Sequence, residues 1–319
     1  MNVGAAQRSP AVLVVMACYN GSAFLDEQLA SVLAQQGVHV SILIRDDGSD
    51  DGTPEKLEDW KTKYPDQIEI VDDEAGNLGA SGSFSQLLIL ALRKWKKQHE
   101  YAAVALADQD DIWYENKLQK SLEALSCANE GRPEDFPVLV HSDLRVVNEQ
   151  GQEISPSLMQ YQGLDASKRQ FSAQLLSNTV TGCTALCNRA LLEKALPVSE
   201  NAMMHDWWLS LVASAFGEII YVNQPLIDYR QHGRNTLGAR LHPKFDWQRI
   251  SRALSGNPQE TDQAQQLFVD SARQAKAFRA RYEEKLSGKQ KKSLSRTERM
   301  PTLGRWGQRL MFRWQRWFV

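Results

Sequence analysis

The chain has 319 residues, 42% of them apolar and 24% charged, with a formal net charge of −2. That length suits one large domain or a core domain with an appendage, and the near-balanced charge gives no whole-chain argument for nucleic acid as a partner. Four cysteines (Cys18, Cys127, Cys183 and Cys187) form no CxxC pair and read as reduced thiols in the cytosol. The first ten residues lack a secretory signal pattern, and the early apolar run Ala11 to Cys18 is far too short to span a bilayer.

Taken in order, Val12 to Ala17 reads as a buried strand that ends in the turn signal Cys18-Tyr19-Asn20-Gly21. Phe24 to Gln36 carries apolar residues at helical spacing, and Gly37 stops it. Val40 to Ile44 is a second strand, running into Arg45-Asp46-Asp47-Gly48-Ser49-Asp50-Asp51-Gly52-Thr53; Thr53 and Pro54 mark the next helix start. A short strand at Ile68 to Val71, the loop Gly76-Asn77-Leu78-Gly79 and a helix from Ser83 to about Lys97 follow. A fourth strand, Tyr101 to Leu106, then leads into Ala107-Asp108-Gln109-Asp110-Asp111-Ile112-Trp113, with a helix start at Glu115. This alternation predicts a parallel sheet with helices on both faces.

Polar clusters recur where these strands end: Tyr19-Asn20, Asp46-Asp47, Asn77 and Asp108 to Asp111. In open α/β sheets ligands bind at that edge. Packed carboxylates repel one another and need a cation, a shared proton or solvent. A hard divalent ion such as Mg²⁺ or Mn²⁺ takes one or two carboxylates and completes its shell with phosphate and water. A solvated acidic turn is the alternative for any one cluster. Several polar strand exits on one edge favour a nucleotide crevice.

The strand ending in Cys18-Tyr19-Asn20, the exit Asp46-Asp47-Gly48-Ser49-x-Asp51-Gly52-Thr53 and the exit Asp108-Gln109-Asp110-Asp111, in this order and spacing, resemble a family 2 glycosyltransferase of the GT-A fold, from about Val12 to Asn235. The resemblance implies a Rossmann-like, mostly parallel sheet with flanking helices. It implies that Tyr19 stacks on the nucleotide base and that Asp47 accepts a hydrogen bond from a pyrimidine ring N–H, with Asn20 and Asn77 also on the donor nucleotide. Asp110 becomes the direct metal ligand, and Asp108 a supporting carboxylate near ribose or metal. Asp46 serves equally well as a cap of its own turn. Ser83 departs from the family pattern, which often carries Asn there.

Further along, Val138 to Val140 is a strand leading to His141-Ser142-Asp143, either a catalytic pair or residues closing a turn. Asn178 to Thr184 is rich in small residues; Gly182 permits close approach of a substrate or of a packing helix. Met203-Met204-His205-Asp206-Trp207-Trp208 opens a helix to about Phe216. Alone, Asp206 reads as a complement to the helix dipole. The family places its catalytic carboxylate here, and His205 stands where an acidic residue is common, so the resemblance makes Asp206 the base. Trp207, Gly182 and Trp113 are expected around the sugar or acceptor, with Trp207 and Trp208 as apolar walls to Asp206 or one of the two packed into the core. Two more strands, Ile219 to Val222 and Pro225 to Tyr229, precede Arg230-Gln231-His232-Gly233-Arg234. By the same resemblance His232 reaches the metal, while Arg230 and Arg234 suit diphosphate.

The last quarter changes character. Residues 1–255 form the expected glycosyltransferase domain and 256–319 a helical, basic extension. Gln263 to Leu286 reads as an exposed helix, Lys285 to Arg299 as a basic flexible stretch, and Thr302 to Val319 as an amphipathic segment whose Trp stripe is flanked by Arg. Such a segment lies on an anionic membrane or packs on the domain.

Together these features predict a metal-dependent, inverting transferase. It moves a sugar from a nucleoside-diphosphate donor to a polysaccharide or lipid-linked saccharide at the inner face of the cytoplasmic membrane. The stretches Ala107 to Trp113, His205 to Trp208 and Tyr229 to His232 look most like bacterial rhamnosyltransferases, which implies dTDP-rhamnose as donor. A sugar nucleotidyltransferase, another metal-dependent nucleotide enzyme such as a phosphatase, and a non-enzymatic membrane scaffold are the competing classes.

Overall fold

The computed structural model describes residues 9–98, 100–233, 258–304 and 306–308. Its first half alternates strand and helix: β1 (Ala11–Cys18), α1 (Leu25–Leu33), β2 (His39–Asp46), α2 (Thr53–Lys63), β3 (Ile68–Ile70), α3 (Gly79–Gln98), β4 (Tyr101–Ala107), β5 (Ile112–Trp113) and α4 (Lys117–Asn129). The second half contains β6 (Val138–Asn148), β7 (Glu153–Ser155), α5 (Leu158–Tyr161), α6 (Phe171–Gln174), β8 (Leu186–Cys187), α7 (Arg189–Ala195), α8 (His205–Phe216) and β9 (Glu218–Gln231). Two helices close the described chain, α9 (Pro258–Tyr282) and α10 (Gly288–Arg299).

One sheet runs in the order β3-β2-β1-β4-β8-β6-β9-β5, with β7 paired to β6. Strands β1 to β4 pair in parallel, as does β6 with β9, whereas β8 joins β4 to β6 antiparallel and β5 runs antiparallel to β9. The fold is a mixed α/β architecture with helices on both faces. Strand alternation explains the two-sided burial: Leu13 and Val15 enter one core cluster, and Val12, Val14 and Met16 the other.

Three local readings change. The strand expected to stop at Val140 continues through His141, Ser142 and Asp143, because β6 pairs with β9 along its length. His141 is fully buried against Tyr221, and burial holds its imidazole down at about 3. Asp143 accepts N–H bonds from Leu144 at 2.9 Å and Met159 at 3.3 Å, so the pair is structural. The two strands expected before Arg230 are one, with a register shift around Asp143. Gly217 makes the turn between α8 and β9: a Cβ there would lie 1.8 Å from the Pro137 carbonyl oxygen, so only glycine lets the chain pass.

The C-terminal helices are neither exposed nor irregular. Leu267, Phe268, Ala275, Phe278 and Tyr282 of α9 join the same core cluster as α3, α7 and α8, and Phe278 lies 5.5 Å from the Trp208 ring and 5.2 Å from Phe171. The basic stretch expected to be flexible is α10, opened by a capping box of Ser287 and Gln290. Its Leu294, with Met300 just beyond, is buried, while Arg279 of α9 grips Glu298 at 2.7 Å. Charged residues on one helix face do not exclude burial of the other. Of the Trp-rich end, Trp306 is described and is 76% exposed; Arg305 and residues 309–319 lie outside the described residues.

Candidate active site

The carboxyl ends of β1, β2 and β4 open onto a cleft of about 430 Å³, within the usual range for a ligand site. Tyr19, Asp47, Asn77, Asp108, Asp110, Gly182 and Asp206 line it, although they come from sequence positions nearly two hundred residues apart.

Each wall has a local cause. The exits of β1 and β2 are sewn together by the Asp-rich turn. Asp46 caps it through the Ser49 N–H at 3.1 Å, and the Asn20 N–H donates to Ser49 Oγ at 2.8 Å. Asp51 accepts from the Ser22 hydroxyl at 2.7 Å and the Thr53 N–H at 2.9 Å. Burial opposes its ionisation, but the bonds from Thr53 and Ser22 overcome that and hold its carboxyl at about 2. Asn20 takes the left-handed φ of 51° and accepts from the Asp50 N–H through Oδ1 at 2.9 Å. Its amide thus braces this turn, instead of lining the cleft as a donor contact.

Asp47 is buried beneath the cleft wall. It accepts from the N–H groups of Leu78 at 2.7 Å and Gly79 at 2.8 Å, and from Arg45. A carboxylate has about four acceptor positions, so room remains for one donor from the cleft. Asn77 donates to the Asp47 carbonyl at 2.9 Å, which fixes the loop over it. Arg45 was not singled out from the sequence, yet it organises this wall. Fully buried, it forks onto Asp73 at 3.0 and 3.1 Å and reaches the Gly76 carbonyl at 2.6 Å and Ser83 Oγ at 2.8 Å. Ser83, where the family pattern often has Asn, lines the cleft and accepts from this arginine. Arg45 shares a face of β2 with Leu43, while Ile42 and Ile44 enter the core on the other face.

The acidic loop after β4 divides its carboxylates. Asp110 Oδ2 lies 2.9 Å from His232 Nε2, so the pair expected from the sequence is in contact. His232 in turn packs on Phe24 with ring centroids 4.6 Å apart. Asp111 faces inward with Cys183; among the described residues, ligand atoms of Asp108, Asp111 and Cys183 fall within 4.8 Å of one another. Burial, followed by Asp110 and Asp108, pushes the Asp111 carboxyl well above the usual carboxylate range, and the residue props the loop from beneath. Its buried Oδ2 has no hydrogen-bond partner. Carboxylates at the cleft with an imidazole beside them form a donor set that fits a hard divalent ion. The Asp108–Asp111–Cys183 group is less suited to one, because its thiol and one carboxyl are closed to solvent.

Four further expected contacts do not reach the cleft. Arg230, assigned to diphosphate, is 5% exposed and lies 4.8 Å over the Phe24 ring. It donates to the Glu149 carbonyl at 2.8 Å and the Asp110 carbonyl at 3.3 Å, and pairs with Glu27. Its donors are spent anchoring the end of β9 to α1. Arg234, its expected companion, lies outside the described residues. Trp113 is buried with Lys117 Nζ 3.5 Å over its ring, where burial lowers the lysine to about 7. Trp207 is buried and its indole N–H donates to the Gln174 carbonyl at 2.6 Å; Trp208 does the same to Ala195 at 2.9 Å. Both rings point into the core because α8 presents an apolar stripe there. They are not walls to Asp206.

Asp206 itself sits in the first turn of α8, half-buried, with Oδ1 2.6 Å from the Trp207 N–H. Gly182 faces it: a Cβ there would lie 3.6 Å from Asp206 Oδ2 and 3.1 Å from His205 Nε2. His205 stacks on Phe84 at 4.1 Å, and burial lowers it to about 3, so it brings no positive charge to Asp206. Tyr229 also lines the cleft; burial and the carboxylates of the acidic loop raise its phenol well above the usual range, keeping the O–H as a donor.

A mixed α/β sheet with an acid-lined cleft at the ends of its parallel strands defines a glycosyltransferase of the GT-A class. Residues 13–196 match the family model described as "Glycosyl transferase family 2", and the chain belongs to that family. It is 28% identical over 243 residues to the dTDP-rhamnosyl transferase RfbG of Shigella flexneri, covering 74% of this chain and 78% of that one. Over 122 residues, 37% of this chain and 44% of the relative, it is 34% identical to the putative teichuronic acid biosynthesis glycosyltransferase TuaG of Bacillus subtilis. In fold it is similar to the mannosyltransferase PcManGT from Pyrobaculum calidifontis, solved in complex with GDP-Man and Mn²⁺, with a TM-score of 0.53 and 20% identity over 94% of this chain and 72% of that one. The fold of S. aureus TarS 1–349, solved in complex with UDP-GlcNAc, gives a TM-score of 0.50 at 14% identity, covering 96% and 90% of the two chains.

Proposed function

We propose that this glycosyltransferase is an inverting, divalent-metal-dependent enzyme that transfers L-rhamnose from dTDP-rhamnose to a polysaccharide or lipid-linked saccharide. The observation carrying the reading is the convergence of Tyr19, Asp47, Asp108, Asp110 and Asp206 on one cleft. The exposed Tyr19 ring offers a flat face to a base, and the remaining acceptor position of Asp47 reads the imide N–H that thymine and uracil share. Asp110, with Asp108 and His232, would hold Mg²⁺ or Mn²⁺, which neutralises the leaving diphosphate when bound. The similarity to a dTDP-rhamnosyl transferase supports this donor.

Asp206 acts as general base. It takes the acceptor hydroxyl proton as that oxygen bonds to the anomeric carbon; the bond from that carbon to the diphosphate breaks on the opposite face, and dTDP leaves with the electron pair. One displacement inverts the configuration, with no covalent enzyme intermediate.

The direct test is donor binding. With Mn²⁺, dTDP or UDP at a hundredfold excess over its dissociation constant should add about 2.7 kcal/mol of stability, visible as a melting shift, while GDP and ADP shift less. An equal response to all four diphosphates would sink the pyrimidine assignment.

We further assign the enzyme to an anionic membrane surface, where a lipid-linked acceptor is found. No described helix is long and apolar enough to cross a membrane. Lys289, Lys292 and Arg299 are exposed at spacings that share one face of α10, and Trp306 follows, also exposed. Each basic residue near such a surface contributes about 1 kcal/mol, so replacing all three by Gln should weaken binding to phosphatidylserine vesicles by roughly a hundredfold. Undiminished vesicle binding would exclude this face. Deleting the segment is the poorer test, since Leu294 and Met300 belong to the core.

A further inference from the structure

Tyr19 and the acidic loop belong to different strands, and one side chain joins them. Gln109 stands between Asp108 and Asp110, and its amide spans the main chain of Tyr19. The Tyr19 N–H donates to Oε1 at 2.8 Å, and Nε2 donates to the Tyr19 carbonyl oxygen at 2.9 Å. The parallel ladder of β1 and β4 ends at Met16 and Ala107, just before this point. The amide therefore satisfies both main-chain groups of Tyr19 as a continuing strand would. This matters because the phenol ring is 52% exposed at the cleft and its own packing holds it little. The ring is held through its backbone.

Gly21 has a role in the same device. A Cβ on Gly21 would lie 2.2 Å from Gln109 Oε1 and 2.3 Å from Cδ. Its φ is outside the left-handed region, so the main chain there would accept alanine. What excludes a side chain at position 21 is the Gln109 amide.

We propose that Gln109 is a positioning residue for the donor base: with Gly21 leaving it room, it fixes Tyr19 in its stacking place and ties the base platform to the Asp108–Asp110 loop. This rests on the reading of the cleft as a nucleotide site. Asp108 and Asp110 flank the position, but the two contacts on Tyr19 belong to the Gln109 side chain, and shortening it cuts the tie without removing a carboxylate.

The test is calorimetric titration, with Mn²⁺ present throughout, of dTDP, UDP and inorganic pyrophosphate into the unaltered chain, Gln109→Ala, Gly21→Ala and the double variant. Pyrophosphate lacks a base, so the ratio of the affinities isolates the stacking increment. Gln109→Ala should weaken dTDP and UDP roughly tenfold, the scale of one base–aromatic contact, and leave pyrophosphate within about twofold. Gly21→Ala should lose a similar amount by displacing the amide. The double variant should be no worse than Gln109→Ala, because the atom that clashes has gone.

The proposal is overturned if Gln109→Ala binds nucleotide as tightly as the unaltered chain. It is overturned equally if pyrophosphate weakens in parallel, which would place the effect on the metal loop, or if the two losses add, which would give Gly21 a separate role. An unaltered chain that binds pyrophosphate and neither nucleotide would remove the nucleotide reading itself, a result visible before any variant is compared.

Discussion

Asp206→Asn should lower turnover by roughly 100- to 10,000-fold, the usual worth of a positioned general base, and leave donor affinity within about threefold. The separation is expected because Asp206 belongs to α8 and lies against Gly182, whereas Tyr19, Asp47 and Asp110 reach the same cleft from the ends of β1, β2 and β4. The substitution keeps size and shape, and its side-chain oxygen can still accept the Trp207 N–H. His205 is neutral and buried, so it brings no charge that would replace the lost carboxylate. Dissociation constants for dTDP, measured beside single-turnover rates with a saccharide acceptor, separate the two effects. Near-normal turnover would remove Asp206 from the reaction; a parallel loss of donor affinity would recast it as a binding residue.

Asp110→Ala should abolish the metal-dependent part of nucleotide affinity. Outer-shell partners of a metal site typically cost 10- to 100-fold when removed, and a direct ligand should cost more than roughly a hundredfold. Asp110 touches His232 at 2.9 Å, and its carbonyl is held by Arg230, so the loop has support on both sides of the carboxylate. The fold should survive, because the buried prop is Asp111 and not Asp110. Titrating Mn²⁺ by electron paramagnetic resonance, with and without dTDP, reads the site directly. Unchanged Mn²⁺ affinity in the variant would move the metal to other residues, with Asp108 and Asp111 the first to examine.

Much of the cleft was legible before the structure because strand ends carry their own signal. Tyr19, Asp47, Asp108 and Asp110 each come close after a run of apolar residues, with Asn77 in the loop that follows β3, and a parallel sheet brings such exits to one edge whatever the details of packing. Asp206 needed the family pattern as well, since an acidic residue in a first helical turn is ordinary by itself. The misassigned residues are those whose type suits a ligand and the core alike. Trp113 and Trp207 have sugar-stacking rings, and Arg230 has a phosphate-matching fork, but no local pattern says which way such a side chain turns. Arg45 shows the converse: on a strand buried on both faces, a charged side chain takes an interior role among buried partners.

The sequence by itself determined the alternation of strands and helices, the polar strand exits and their order, because these depend on periodicity and turn chemistry within a few residues. The tertiary structure alone decided which polar groups are spent inside the protein. Arg230 closes on Glu27 and Glu149, Arg45 on Asp73 and Gly76, and Gln109 on Tyr19, pairings of residues 28 to 203 positions apart. The fate of the C-terminal helices was decided in the same way. The stripe of α9 is amphipathic in any context, but only the apolar surface left open by α7 and α8 makes burying it more favourable than exposing it to water or lipid.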